Sequence, residues 1–267
     1  MTQENPNEFI QQALLLEREA HDLRANQKIE PAFEAYDRAG NLYRECGEHL
    51  KAAFCFASAA TCWNIRTGWQ PLHNAATRND MAAKQAMLAK NYDYARSLFR
   101  EAALLYEKEG DIENYSSCYY ESQRADAKRA WALFASGNTS PQALEIEIKG
   151  TQRLRALFTW LANTMNSFVW GYGEKPSRTL GMAATIILVS ALLYDISGKI
   201  LVHGHQQPIY FFEALYFSLT TFTTVGFGDY LPLGWVRGVA VSEAMSGIVL
   251  MPLFLVGLTR RYLRLGN

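Results

Sequence analysis

Hydrophobic and polar positions follow a helical period along the first half of the chain. From Asn7 to Ser136, alanines and aromatic residues recur every three or four positions among charged residues, which is typical of amphipathic helices. After a loop at 136–141, a further helix is predicted from Gln142 to about Trp170. The helices predicted before that loop lie near 7–26, 30–46, 48–66, 74–90, 93–109 and 111–136.

Two helical hairpins within this half have related sequences. Aromatic residues and small residues recur at a constant offset of 63 positions, as from Tyr36 to Phe99. The other matched pairs are Ala39 and Ala102, Tyr43 and Tyr106, and Cys55 and Cys118. Large residues alternating with small ones let two helices pack closely. The repeat resembles tetratricopeptide-like and SNAP-like hairpins, a resemblance that implies a cytoplasmic α-solenoid over residues 1–140.

Two roles are open for this solenoid. Its concave surface could bind a peptide, a protein or a small ligand, or the domain could serve only in assembly or as a spacer.

The cysteines show no Cys-x-x-Cys pair, and we expect them to be reduced, buried thiols of a cytosolic domain. They are Cys46, Cys55, Cys62 and Cys118.

Two long apolar runs occupy the last third of the chain. Residues 179–197 contain one charge, Asp195, and residues 238–259 contain one charge, Glu243. Each run is long enough to cross a bilayer core of about 30 Å. Arginine and lysine flank the pair on the outside, whereas from Gly198 to Val236 the only lysine or arginine is Lys199. Because positive charge stays inside, we expect both termini to be cytoplasmic in a multi-pass protein of the plasma (inner) membrane.

The segment between the runs is too short for a third complete span. Residues 208–223 are mostly apolar and aromatic, and they suit a helix that enters the membrane to half depth. Pro208 favours a helix start, and Glu213 lies in an early turn, where the helix dipole tolerates an acid. The heptapeptide Thr-Thr-Val-Gly-Phe-Gly-Asp follows directly, at residues 223–229.

This heptapeptide and its flanking runs resemble the two-span potassium channels of bacterial type. The resemblance covers roughly residues 179–264. A Gly-Tyr-Gly at 171–173, before the first apolar run, is interpreted as a turn. The resemblance implies an all-α, homotetrameric membrane protein with a re-entrant pore helix and a selectivity filter. The implied segments are a linker helix and interfacial segment at 141–178 and a pore domain at 179–267, comprising an outer helix at 179–197, a pore helix at 209–223, a filter at 224–229 and an inner helix at 235–262.

The resemblance also implies roles for individual residues. Backbone carbonyls replace the hydration shell of K⁺ in this family. The implied K⁺ sites lie at Thr224, Val225, Gly226 and Phe227, and Gly228 completes the ion-binding segment. Glycine at 226 and 228 tolerates positive φ, and Phe227 replaces the more frequent tyrosine. Filter support is expected from Thr223, Asp229, Glu243, Tyr216 and Phe217, and a gating hinge from Gly247 and Pro252.

Three features of the sequence each allow two structural interpretations. Gly247 is either a gate pivot or a close-packing position. Glu243 is either a brace hydrogen-bonded near Thr220 or Thr221, or an acid facing the cavity. The helix from 142 to 170 lies either on the inner membrane surface or against the solenoid as its last helix.

Composition narrows the class of function. Twenty-six basic residues balance 26 acidic ones, so a nucleic-acid partner is not expected. No phosphate loop, nucleophile elbow or metal-ligand cluster indicates an enzyme, and we expect no organic cofactor beside K⁺. The sequence therefore predicts a potassium channel gated by a ligand or partner of the N-terminal domain. The alternatives are a non-selective cation channel and a membrane-anchored helical adaptor.

Overall fold

The structure is a computed structural model of the 267-residue chain, and it describes residues 6–65, 71–137, 150–202, 205–206 and 209–265. The chain divides into two compact units, of which the first ends at Met165 and the second begins at Asn166. The helices are α1 (Pro6–Ala25), α2 (Ile29–Glu45), α3 (His49–Ile65), α4 (Pro71–Leu88), α5 (Tyr92–Glu109), α6 (Ile112–Ser136), α7 (Gly150–Val169), α8 (Pro176–Ser197), α9 (Phe211–Phe222) and α10 (Val236–Leu265).

The predicted boundaries and the observed unit boundary differ. The expected linker at 141–178 forms no unit of its own, because the division falls inside α7. The start of the predicted linker helix, from Gln142 to Lys149, lies outside the described residues.

Helices α1 to α6 form a stack in which each helix packs on the next one along the chain. The six predicted helices are confirmed, with ends that shift by three residues at most. Their core consists of fully buried aromatic rings among alanines. The largest of these buried rings belong to Tyr36, Tyr43, Phe56 and Phe99. Large rings therefore occupy the gaps left by small residues, as the repeat indicates.

One glycine and one turn illustrate how the sequence fixes this stack. A Cβ at Gly40 would lie 2.9 Å from the Phe56 ring, so a small residue is needed where α2 meets α3. Gly110 ends α5 with a left-handed φ of +78°, which a glycine adopts without strain. The next residue, Asp111, caps α6 by accepting a hydrogen bond of 3.1 Å from the N–H of Asn114.

The cysteines of the first unit are all free thiols. Cys55, Cys62 and Cys118 are buried, whereas Cys46 is half-buried. Burial raises the pKa of the thiols of Cys55 and Cys118 to about 12. Because the thiolate is the reactive form, these two side chains behave as small apolar groups near neutral pH.

The second unit combines α8, α9 and α10 with a small antiparallel sheet. The strands are β1 (Ile200–Val202), β2 (His205–Gln206) and β3 (Tyr230–Pro232), in the order β2-β1-β3. Val202 pairs with Tyr230, so the sheet ties the loop after α8 to the residue that follows Asp229. The all-α expectation missed this sheet, because strands of two or three residues are too short to show alternation.

Two helices of the second unit are long and apolar enough to cross a membrane. They are α8, over Pro176–Ser197, and the Val236–Arg260 part of α10. Most of their side chains are not buried within the chain. Leu188 and Val189 on α8, like Val241 and Ile248 on α10, expose about half or more of their surface. Two such surfaces in one unit are typical of a membrane protein.

We predict that Phe56→Ala destabilises the first unit much more than Phe54→Ala does. Phe56 is fully buried, whereas Phe54, on the same helix, exposes 48% of its side chain. Truncating a fully buried phenylalanine costs about 3–5 kcal/mol, whereas Phe54 loses mainly a ring contact with Tyr94, worth about 1 kcal/mol. Urea unfolding of the detergent-solubilised chain, followed by far-UV circular dichroism, measures both values. Equal losses would contradict the packing described here.

Candidate functional site

The segment from Thr224 to Gly228 begins at the C-terminal end of α9 and is tied to it by backbone hydrogen bonds. The N–H of Thr224 donates to the carbonyl of Thr221 at 3.0 Å. The N–H groups of Val225 and Gly226 both donate to the carbonyl of Thr220, at 2.9 and 3.2 Å. These bonds satisfy carbonyls that a helix end otherwise leaves without partners. They also turn the N–H side of the segment toward α9.

The sign of φ alternates along this segment. Thr224, Gly226 and Gly228 have φ values of +59°, +50° and +78°, whereas Val225 and Phe227 do not have positive φ. Alternating left-handed and right-handed residues place successive N–H groups on one side of the chain and successive carbonyls on the other. Glycine adopts positive φ without strain, but for Thr224 the left-handed region costs about 1–2 kcal/mol. The positive φ expected at Gly226 and Gly228 is confirmed, whereas the positive φ of Thr224 was not predicted.

The carbonyl oxygens of the segment are available as ligands. Among the residues that the structure describes, no N–H or O–H group donates a hydrogen bond to the carbonyls of residues 224–228. Several adjacent carbonyl oxygens on one side of a chain can replace water around a hard cation. Chemically, this is the ligand set that the sequence predicts for K⁺.

Aromatic side chains pack behind the segment. The Phe227 ring stacks on the Tyr216 ring of α9, with centroids 6.4 Å apart and planes 4° from parallel. The Tyr216 side chain lies near Asp229, whose carboxylate accepts a bond of 3.2 Å from the N–H of Tyr230. Phe217 contacts the Tyr230 ring at 6.2 Å. Because Phe227 lacks a hydroxyl, Tyr216 supplies the hydroxyl group on this side of the segment.

The predicted support residue Thr223 does not reach the segment through its side chain. Its hydroxyl donates to the carbonyl of Leu219 at 2.7 Å, within the last turn of α9. The contribution of Thr223 is therefore to the end of the helix and not to the carbonyls that follow it.

Glu243 lies at a buried junction of three helices. Its side chain is on α10 and the residue is 2% exposed. One carboxylate oxygen accepts a hydrogen bond of 2.6 Å from the Tyr194 hydroxyl of α8. The other oxygen is hydrogen-bonded to the Ser218 hydroxyl of α9, and the buried Ser190 of α8 lies close to the carboxyl group. One buried carboxyl group thus connects all three long elements of the unit.

The partners of Glu243 differ from those expected. The residue of α9 that hydrogen-bonds to Glu243 is Ser218, and not Thr220 or Thr221. The Thr220 hydroxyl instead donates to the carbonyl of Phe217, inside α9. The rotation of two packed helices about their axes decides which residue faces Glu243, and the sequence does not contain that angle. Ser190 and Tyr194, one helical turn apart within an apolar run, are the signal that could have located the junction.

Gly247 allows α10 to approach the end of α9 closely. A Cβ at Gly247 would overlap the carbonyl oxygen of Phe222 and lie 2.9 Å from its carbonyl carbon. A side chain at this position would therefore push the two helices apart. Close packing, one of the two interpretations from sequence, is thus a structural feature of Gly247. Pro252 lies farther along α10, which continues to Leu265.

The turn between α7 and α8 contacts the far end of α10. Residues 171–173 all have positive φ, at +59°, +59° and +87°, and form a single tight 3₁₀ turn. The guanidinium of Arg260 lies 5.9 Å from the centre of the Trp170 ring, which allows a cation–π interaction. A Cβ at Gly257 would lie 3.5 Å from Pro176, at the start of α8. This turn, interpreted as such from sequence, therefore packs on the last turns of α10.

Comparison with known proteins gives one family match. Residues 181–264 match the Ion_trans_2 family model, which is described as an ion channel. The matched range includes most of α8, all of α9, the 224–228 segment and all but the last residue of α10. No solved structure matches the chain. The second unit is therefore similar to an ion-channel pore domain of the two-span potassium-channel type, and its two apolar helices imply a lipid environment.

We predict that Glu243→Ala destabilises the folded chain more than Glu243→Gln. Alanine leaves the buried Tyr194 hydroxyl without its partner, at about 1–3 kcal/mol, whereas the Ser218 hydroxyl keeps the carbonyl of Ile187 at 2.8 Å. The glutamine amide can still accept from Tyr194 and contact Ser218, so its loss is expected to be less than half as large. Ser246→Ala is the control, because the exposed Ser246 hydroxyl bonds only to its own helix, at the carbonyl of Ser242. Thermal unfolding in detergent measures all three, and equal effects of alanine and glutamine would contradict the junction.

Proposed function

We propose that this chain is one subunit of a homotetrameric, potassium-selective channel. In the tetramer, four copies of Thr224–Gly228 surround one axis, and each copy contributes its carbonyl oxygens. The observation that carries the proposal is the alternation of φ along a segment whose carbonyls accept no hydrogen bond from described residues. The match of the surrounding domain to an ion channel supports it. One chain supplies only one line of carbonyls, so a closed ring of ligands requires several copies.

Ion selection rests on carbonyl oxygens in this proposal. A potassium ion loses its water in the narrow filter, and the carbonyls of Thr224, Val225, Gly226 and Phe227 replace it at similar energy. The Thr224 hydroxyl adds ligands at the inner end. Phe227 and Tyr216 hold the width of the opening through their stacked rings.

The length of α9 supports its role as a re-entrant pore helix. Its 12 residues extend about 18 Å, which is shorter than a bilayer core of about 30 Å. The chain then returns through the non-helical segment 224–229. Such backbone is tolerated at membrane depth where protein encloses it or it lines a water-filled path.

The selectivity is tested by flux into liposomes that contain the purified chain. We expect K⁺ flux and a reversal potential that follows K⁺ when Na⁺ is on the opposite side. Gly226→Ala should lower the preference for K⁺ over Na⁺ about tenfold or more, since strain of about 1–2 kcal/mol enters every copy of the filter. Gly234→Ala is the matched control, because Gly234 has a φ of +57° and similarly open surroundings outside the segment.

Two outcomes would replace this proposal with its alternatives. Equal K⁺ and Na⁺ permeability in the unmodified chain would indicate a non-selective cation channel. Absence of any flux from a folded, reconstituted chain would indicate a membrane-anchored helical adaptor.

Gating is assigned to the cytoplasmic end of α10, the inner helix. Pro252 removes one backbone hydrogen bond from α10, and Gly247 lacks a side chain, so both are candidate hinge positions. The turn at 171–173 packs against Gly257 and Arg260, beyond both hinges. We infer that a peptide, protein or small ligand on the first unit shifts this turn and thereby biases the gate. The distribution of basic residues supports cytoplasmic termini in a plasma-membrane protein.

We predict that Arg260→Gln and removal of residues 1–140 act through the same contact. Loss of the Trp170–Arg260 interaction, worth about 0.5–1 kcal/mol in each copy, should change open probability several-fold. The two changes together should not add, because the turn no longer transmits the state of the first unit. Single-channel recording measures open probability. Arg237→Gln, at the other end of α10, is the control, and an unchanged open probability after the deletion would refute this route.

A further inference from the structure

Helix α7 presents apolar side chains that the described residues of the first unit leave exposed. Leu154, Phe158, Leu161 and Met165 expose 57%, 69%, 43% and 57% of their surface. Their spacing of four, three and four residues places them on one face of the helix, within about 40° of its centre line. We call these four residues the α7 stripe.

The opposite side of α7 supplies its contacts within the first unit. Ala156 is buried, and the Trp160 ring lies 4.8 Å from the Trp131 ring of α6. Each of these residues is two positions beyond a stripe residue, which corresponds to about 200° around the helix. The α7 stripe therefore points away from the contact between α7 and α6.

Charge distinguishes between the surfaces that could cover the stripe. Helix α7 contains Arg153 and Arg155 and no acidic residue. These arginines lie about 100° to either side of the stripe, at the edges of its apolar face. Two copies of α7 packed in parallel through their stripes would bring arginines together without an acid on either helix, which is unfavourable. Anionic lipid headgroups, in contrast, complement basic residues that border an apolar face.

The position of α7 in the chain also favours a lipid surface as the partner of the stripe. Helix α8, the first membrane-capable helix, begins at Pro176, seven residues after α7 ends at Val169. The connection contains Lys175 beside one acid, Glu174, and Arg178 follows in the first turn of α8.

We propose that the α7 stripe rests on the cytoplasmic lipid surface of the bilayer. The four apolar side chains enter the boundary between headgroups and acyl chains, while Arg153 and Arg155 contact anionic headgroups. The proposal rests on the membrane location of the second unit, and it is independent of which ion the channel selects. It decides between the two positions that the sequence leaves open for this helix.

The test uses photo-crosslinking in the full-length chain, reconstituted into vesicles of phosphatidylcholine with or without phosphatidylglycerol. The photoreactive amino acid benzoylphenylalanine replaces Phe158 or Leu161, and in a matched control it replaces Thr159, which is exposed on another face of α7. We expect lipid adducts, detected by mass spectrometry, at 158 and 161 in several-fold excess over 159. The excess should be larger with phosphatidylglycerol, and Arg153→Gln with Arg155→Gln should remove that lipid dependence.

Three results would overturn the proposal. Chain-to-chain crosslinks at 158 and 161 would show that a second copy covers the stripe. Crosslinks within one chain would show that another segment of the same chain covers it. Equal, low lipid yields at all three positions would show a stripe in water. Potassium flux measured on the same vesicles separates these results from a failure of the proposed channel function.

Discussion

Hydrogen bonds between the last carbonyls of α9 and the next N–H groups determine which way the 224–228 segment faces. Thr220 accepts two of these bonds and Thr221 accepts one, so the N–H groups of three consecutive residues are occupied on the helix side. With φ alternating along the segment, its carbonyls accept no hydrogen bond from the described residues. A helix end normally has carbonyls without partners, and here that ordinary property orients the backbone that follows. The proposed chemistry of the site depends on this arrangement.

The orientation is useful only if α9 itself is fixed, and three different contacts fix it. Glu243 hydrogen-bonds to Ser218 and reaches α8 through Tyr194. Gly247 lets the backbone of α10 touch the last residue of α9. On the far side, the Tyr216 ring packs against the ring of Phe227. A polar junction, a missing side chain and an aromatic pair thus hold the helix near its middle and at its end.

Sequence reasoning located the long elements well because their signals are local. Helical periodicity gave α1 to α6 within three residues, and apolar length gave α8 and α10. The misses share a different cause. The partner of Glu243 depends on the rotation of one helix against another, and the positive φ of Thr224 depends on hydrogen bonds to the preceding helix. The small sheet at β1 to β3 depends on two distant loops meeting, and its strands are too short to leave a pattern in the sequence.

The free carbonyl groups of the 224–228 segment belong to the main chain, which has a consequence for genetics. Every amino acid carries the same carbonyl, so no codon change can delete one of these oxygens as it could delete a catalytic side chain. Substitutions act there only by altering shape, through bulk or through intolerance of left-handed geometry. Threonine at 224 already occupies such a geometry without being glycine. Inherited substitutions in this segment are therefore tolerated or harmful according to whether the new residue can adopt the backbone conformation, while the coordinating oxygen atoms stay the same.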